Sequence, residues 1–219
     1  MIPALIILAT VLVILLLIWG IFFNEIKAFF EKHFYRQKVY HVLHYYAEEN
    51  DQLLLNDVNI FLPGDINEPT KIDHILFADK YVYVIHDYYA VGGIYGNLSD
   101  PYLFLKSFKG RINKVPNEVS KNIHRVIALE EALSVNHSDH IFVSVVCFND
   151  SLIVPKGIAI KNQDSWFLST KELEKTIKTA EKDVVPLIHH SKSEKLVSML
   201  KERSDMTKER LAQEKKSRA

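Results

Sequence analysis

Cysteine is almost missing from this chain of 219 residues: Cys147 is the only one. One thiol excludes an internal disulfide framework and suits a reducing compartment. It cannot build a thiolate zinc site without help from histidine. Glycine and proline are sparse, at seven each. There is no long low-complexity tract before the C-terminal tail, and no segment repeats at a period of about 20–50 residues. Gly92, Gly93 and Gly96 cluster, but no helix start carrying Lys-Ser/Thr follows them, so they are turn glycines and not a phosphate loop. No Ser/His/Asp or Cys/His set has a recognisable catalytic spacing, and the ten histidines are scattered.

Charge is also missing, in one place. Residues 1–23 carry none, although the whole chain balances 27 basic against 27 acidic residues. Residues 24–38 hold four Lys/Arg against two Glu, and 192–219 hold nine Lys/Arg against five Asp/Glu. The part between, 39–191, has 14 basic and 20 acidic residues and is therefore acidic. Tight nucleic-acid binding needs clustered Lys and Arg to neutralise phosphates, and this balance weighs against it for the domain as a whole.

The uncharged run Ile2–Phe23, "IPALIILATVLVILLLIWGIFF", is 22 residues long. As a helix it reaches roughly 33 Å, enough for a hydrocarbon core of about 30 Å. A cleaved signal peptide would need a basic start and a small-x-small cleavage site, and neither is present. Trp19, Phe22 and Phe23 suit an interfacial aromatic belt, and Lys27, Lys32, Arg36 and Lys38 follow directly. The positive-inside rule then places the C-terminal bulk in the cytoplasm. The expectation is a single-pass protein of the cell membrane: a transmembrane helix over 1–23, then a juxtamembrane amphipathic helix over 24–38. That helix, with Ile26, Phe29, Phe30 and Phe34 on one side, either lies at the headgroup surface or forms a stalk.

Beyond it, Val39, Val42, Leu43 and Tyr46 at spacings of three and four predict a helix over 39–49. "LLLNDVNIFL" (53–62) reads as a strand ended by Pro63-Gly64-Asp65. "KIDHILFA" (71–78) and "YVYVIHDYY" (81–89) read as a hairpin about Asp79-Lys80, with a short third segment at 91–97. A helix over 117–133 carries Val119, Ile123, Val126, Ile127 and Leu133 as its stripe, with Asn117 as N-cap after Pro116. "HIFVSVVCF" (140–148) is apolar enough for a central strand covered on both faces. "GIAIKN" (157–162) predicts another strand, and Ser169 to Glu172 forms a capping box opening a helix. The last stretch reads as a docked helix through Leu196, Val197, Met199 and Leu200 that frays into a charged tail. That tail either stays solvated or binds anionic lipid or a partner. The order predicts an α/β domain over 39–190, a mixed central sheet flanked by helices, with 191–219 as a C-terminal helix and tail.

Three pieces of this order go together: "NDVNIFL", then "KIDHILFADKYVYVIHDYYAVGGIYG", then "PNEVSKNIH" opening a helix. Over about 35–150 the chain resembles the nuclease-related (NERD) domain, a branch of the restriction-endonuclease-like PD-(D/E)xK fold. In that family an I-D-H aspartate and an E-x-K glutamate hold a divalent metal, and the lysine positions or activates the attacking water. Two hard oxygen ligands suit Mg²⁺, and a cation beside the phosphate stabilises developing charge. On this resemblance Asp73 stands at the aspartate and His74 at the histidine after it. His86 stands at the glutamate and Tyr88 at the lysine. Arg36 replaces an upstream acid, Ser120 a glutamine, and His124 keeps the later histidine.

No complete catalytic set remains: Asp73, His86 and Tyr88 are remnant positions. Asp87 is a further candidate acid, although strand alternation turns it to the other face from His86. Asp73 with His86 would suit Mn²⁺ or Zn²⁺ better than Mg²⁺, yet a third ligand is needed and His74 faces away from Asp73. Asp73 reads equally as a strand-end carboxylate. Tyr83, Tyr88, Tyr89 and Tyr95 either stack bases or cover a sheet face. The expected function is a catalytically degenerate NERD-like module that binds or scaffolds at a membrane, with a protein or nucleic acid as partner and no small-molecule cofactor. The alternative is a nuclease with a rearranged site, dependent on Mg or Mn.

Overall fold

A computed structural model describes residues 29–63, 68–155 and 164–217, and the chain divides into two units, Met1–Gln37 and Lys38–Ala219. The expected transmembrane helix, and the start of the amphipathic one, lie outside the described residues. No described helix is long and apolar enough to cross a membrane. Residues 29–49 are helical (α1). In the first unit Phe29, Phe30 and Phe34 are exposed. In the second, Val39, Leu43, Tyr46 and Ala47 are buried, the repeat of one helix face.

The main sheet takes strands β1 (Leu53–Ile60), β2 (Thr70–Phe77), β3 (Val82–Tyr88), β7 (Phe142–Phe148) and β8 (Ser165–Ser169), in the order β1-β2-β3-β7-β8. The first three form an antiparallel meander. β7 then runs parallel to β3, and β8 parallel to β7. Every residue of β7 is buried, as its continuous apolar run requires of a strand with neighbours on both edges and layers on both faces. The expected mixed α/β sheet flanked by helices is therefore what forms. Between β3 and β7 the chain makes a second, three-stranded antiparallel sheet: β4 (Gly93–Tyr95), β5 (Tyr102–Lys106) and β6 (Ile112–Pro116). It enters this sheet through Gly92, whose φ of +123° and whose approach to the Lys106 carbonyl leave no room for a Cβ.

α2 (Glu118–Ala132) and α4 (His190–Ser217) supply Val126, Leu129, Leu196, Val197 and Leu200 to one face of the main sheet, against Ile75, Phe77, Val82 and Val84. The opposite face carries Tyr83 and Trp166, 5.2 Å apart between ring centroids. The Tyr83 hydroxyl donates to Glu181 just past α3 (Thr170–Ala180), and α3 opens with the expected capping box. A second apolar cluster joins the two sheets through Ile94, Leu103, Val119, Val146, Phe148 and Phe167.

Several expectations need correction. β5, β6 and β8 are strands where none was expected, and the strand expected at 157–162 lies outside the described residues. The α2 stripe is rotated: Ile127 is 43% exposed, whereas Asn122 and Glu130 are buried. Asn122 earns its place by donating to the Val84 carbonyl at 3.0 Å and Ser144 Oγ at 2.9 Å, which ties α2 to β3 and β7. The charged C-terminal segment does not fray but stays helical to Ser217. Ser204 and Thr207 are buried on it, Arg203 donates to the Ala132 carbonyl at 2.6 Å, and the Arg210 guanidinium lies 4.3 Å from the Phe61 ring. Docking through small buried Ser and Thr side chains and guanidinium groups leaves no apolar period to read.

Candidate functional site

The meander's register decides the site. His74 pairs with Ile85, so the next step along both strands sets Asp73 opposite His86. Both side chains are half-buried and fall on the α2 face of the sheet, in line with Val84 and Ile75. His86 Nδ1 lies 2.8 Å from Asp73 Oδ2, and that oxygen also accepts the Asp87 backbone N–H at 3.2 Å. On the other side, His86 Nε2 lies 3.4 Å from Glu118 Oε2. One imidazole ring therefore bridges two carboxylates.

Glu118 comes from α2, and sequence reasoning missed it. Its placement follows from Asn117, whose Oδ1 accepts the Val119 and Ser120 N–H groups. The Asn117 Nδ2 donates to the Leu98 and Asp100 carbonyls, 2.7 Å each, clamping the helix start to the preceding loop. The first turn then points its acid at the sheet, where a negative charge also suits the helix N-terminus. Lys121 and Arg125, three and seven residues on, share that face: Lys121 Nζ is 2.9 Å and Arg125 Nη2 4.0 Å from Glu118. The available signal was the N-cap itself, because the residue after a cap on a helix crossing the strand ends is a natural site acid.

A neutral imidazole has one donor and one acceptor nitrogen, so it satisfies only one of two flanking carboxylates; the imidazolium donates to both. The pKa of His86 reflects this. Burial works to lower it, but the hydrogen bonds to Asp73 and Glu118 prevail and the pKa rises above the ordinary 6.5. Glu118 moves the other way, down to about 2 from 4.5, chiefly through the hydrogen bond with His86 against the cost of burial. A proton NMR titration of the His86 ring should give a midpoint above 6.5, and Asp73→Asn should lower it by removing one carboxylate. A midpoint below 6.5 in the native protein would mean that burial dominates.

The other sequence candidates are not gathered here. Asp87 points to the opposite face, where its Oδ2 lies 3.0 Å from Nε2 of buried His74; His74 Nδ1 in turn lies 2.6 Å from Asn56 Oδ1. Tyr88 shares the His86 face but packs against the cluster joining the two sheets, and burial, then the Glu118 charge, pushes its phenol up. A neutral phenol thus stands where the resemblance expects a lysine cation. His124 and Tyr95 are exposed, Tyr89 is half-buried, and Tyr83 is fully buried against Trp166.

Asp73, His86 and Glu118 do not fit a divalent metal as they stand. Both ring nitrogens are engaged, and a cation between the carboxylates would have to displace the ring. Among the described residues no group of three or more His, Cys, Asp or Glu side chains is arranged to hold a metal ion.

A family model described as the nuclease-related domain, NERD, matches residues 19–149, more than half of the chain. A search of curated proteins returns no match. Among solved structures, the chain is similar to the crystal structure of a protein of unknown function at 11% identity and a TM-score of 0.32. That similarity covers 65% of this chain and 54% of the other, so the chain spans about half the length of that relative.

Proposed function

The chain belongs to the nuclease-related domain family, and on that footing we propose that it is a membrane-anchored member with a degenerate catalytic site, acting as a binding or scaffolding module. One observation carries the reading: the His86 ring lies between Asp73 and Glu118, where, once protonated, it does the neutralising that a nuclease of this family assigns to a metal ion. The internal cation costs the site its chemistry. An imidazolium held by two carboxylates offers no open coordination position for a phosphate oxygen, and it cannot ionise a water as a bound metal does. Tyr88 in place of lysine removes the second charge the reaction would use. The sheet order, with its antiparallel meander followed by a parallel strand beyond a helix, suits a restriction-endonuclease-like core.

The anchor proposal rests on the sequence of Ile2–Phe23 and its basic flank, with the domain on the cytoplasmic side and a protein or nucleic acid as partner. The deciding experiment incubates the full chain in detergent or nanodiscs with linear, nicked and single-stranded DNA under Mg²⁺, Mn²⁺ or EDTA. Asp73→Ala runs beside it. The expected result is no cleavage under any metal. Metal-dependent cleavage that disappears in Asp73→Ala would overturn the proposal and establish a rearranged nuclease. Deletion of 1–23 should abolish membrane recovery that withstands high salt and leave the fold intact.

A further inference from the structure

The second sheet has one covered face and one bare face. Leu103, Leu105 and Val115 turn inward to the cluster between the sheets. Alternation then turns Tyr102, Phe104 and Lys106 of β5 outward, opposite Pro116, Lys114 and Ile112 of β6, with Tyr95 of β4 beside Phe104. Phe108 at the tip of the β5–β6 hairpin is 70% exposed and Ile112 63%, and Tyr95, Tyr102 and Phe104 are exposed as well. The tip is a built turn. The Ser107 N–H donates to the Arg111 carbonyl at 2.8 Å, the Gly110 N–H to the Ser107 carbonyl at 2.9 Å, and the Arg111 N–H to Ser107 Oγ at 3.1 Å.

The charge of this segment is as unusual as its exposure. Residues 101–117 contain Lys106, Lys109, Arg111 and Lys114 and no Asp or Glu, inside a domain that is acidic overall. All four are exposed. An apolar tip ringed by cations is a surface that water and neutral partners do not explain.

We propose that the β5–β6 hairpin docks on an anionic lipid surface, with Phe108 and Ile112 entering the headgroup boundary and Lys106, Lys109, Arg111 and Lys114 at the lipid phosphates. The charge complementarity is direct, and a large side chain at a rigid tip is what an interfacial contact uses. Single-stranded nucleic acid fits less well. Ile112 has no π-face to stack a base, and the Tyr102 ring is covered by Lys114 Nζ, 3.9 Å from its centroid. The inference is independent of whether the Asp73–His86–Glu118 site is degenerate.

The test places a polarity-sensitive fluorophore at the tip of the full chain, through Phe108→Cys in a Cys147→Ala background, in vesicles of phosphatidylcholine with or without about one-third phosphatidylglycerol. Because the reporter is on the hairpin, binding through any other part of the chain does not register. The expected result is a blue-shifted emission, quenched by brominated acyl chains, in the anionic vesicles only. Lys109→Glu with Arg111→Glu, two exposed positions, with the thermal midpoint measured beside the emission as the control for folding, should weaken that response about tenfold or more, since each basic residue near such a surface is worth about fivefold. An aqueous emission in both vesicle types overturns the proposal. So does an equal shift in both, or a shift produced by an oligonucleotide and not by lipid.

Discussion

His86→Ala is expected to destabilise the domain by about 3 kcal/mol near pH 6, because it leaves Asp73 and Glu118 as half-buried carboxylates without the cation between them. Linkage gives the effect a shape in pH. The folded-state pKa of His86 is raised above 6.5, so the imidazolium stabilises the fold fully below 6.5, and the contribution is lost as pH rises through the folded value. Glu118 is lowered from 4.5 to about 2, so its contribution is present above 4.5 and is lost as pH falls through about 2. The difference between native protein and His86→Ala should therefore be greatest between pH 4.5 and 6.5 and shrink on either side. Asp73, Glu118 and Arg125 act directly on the ring, and Lys121 acts on it through Glu118.

The same variant probes the idea of an internal cation. With the ring gone, two carboxylates face a gap where a divalent ion can enter. Millimolar Mg²⁺ or Mn²⁺ should raise the thermal midpoint of His86→Ala and leave the native midpoint unchanged. A pH-independent loss of stability with no response to metal would mean that the ring serves only as packing.

Trp166→Ala is expected to cost about 4 kcal/mol, lowering the thermal midpoint by roughly 8–16 °C for a chain of this size. Trp166 is almost fully buried on β8, packs on the Tyr83 ring, and sits opposite Val145 of β7. Removing the indole opens a cavity in the layer that holds β8 to the sheet, and rigid neighbours on β3 and β7 cannot collapse into it. Trp166→Phe, which keeps most of the volume, should cost less than half as much. The comparison has a second use. β8 lies beyond the residues that match the family model, so a large cost shows that this strand is integral to the fold and no appendage. A loss below about 1 kcal/mol would mean that β8 does not pack as described.

The sequence alone determined the elements whose signals are local. The hairpin of β2 and β3 follows from two apolar runs about a two-residue break, and β7 from an unbroken apolar run. Asn117 and the Ser169–Glu172 box fix helix starts within four residues of themselves. The alternation that separates Asp87 from His86 was equally local, and the two do lie on opposite faces.

What tertiary structure decided are pairings across long stretches of chain. Glu118 reaches His86 over 32 residues; the N-cap beside it marks the helix start, and only the fold brings the two side chains together. β5, β6 and β8 are short strands whose stability comes from partners, and α4 holds its charged half in place through Ser204, Thr207, Arg203 and Arg210. A hydrophobic period reports burial by apolar contact alone. A helix or a site assembled from hydrogen bonds and ion pairs leaves no such period, and only the folded chain brings its partners together.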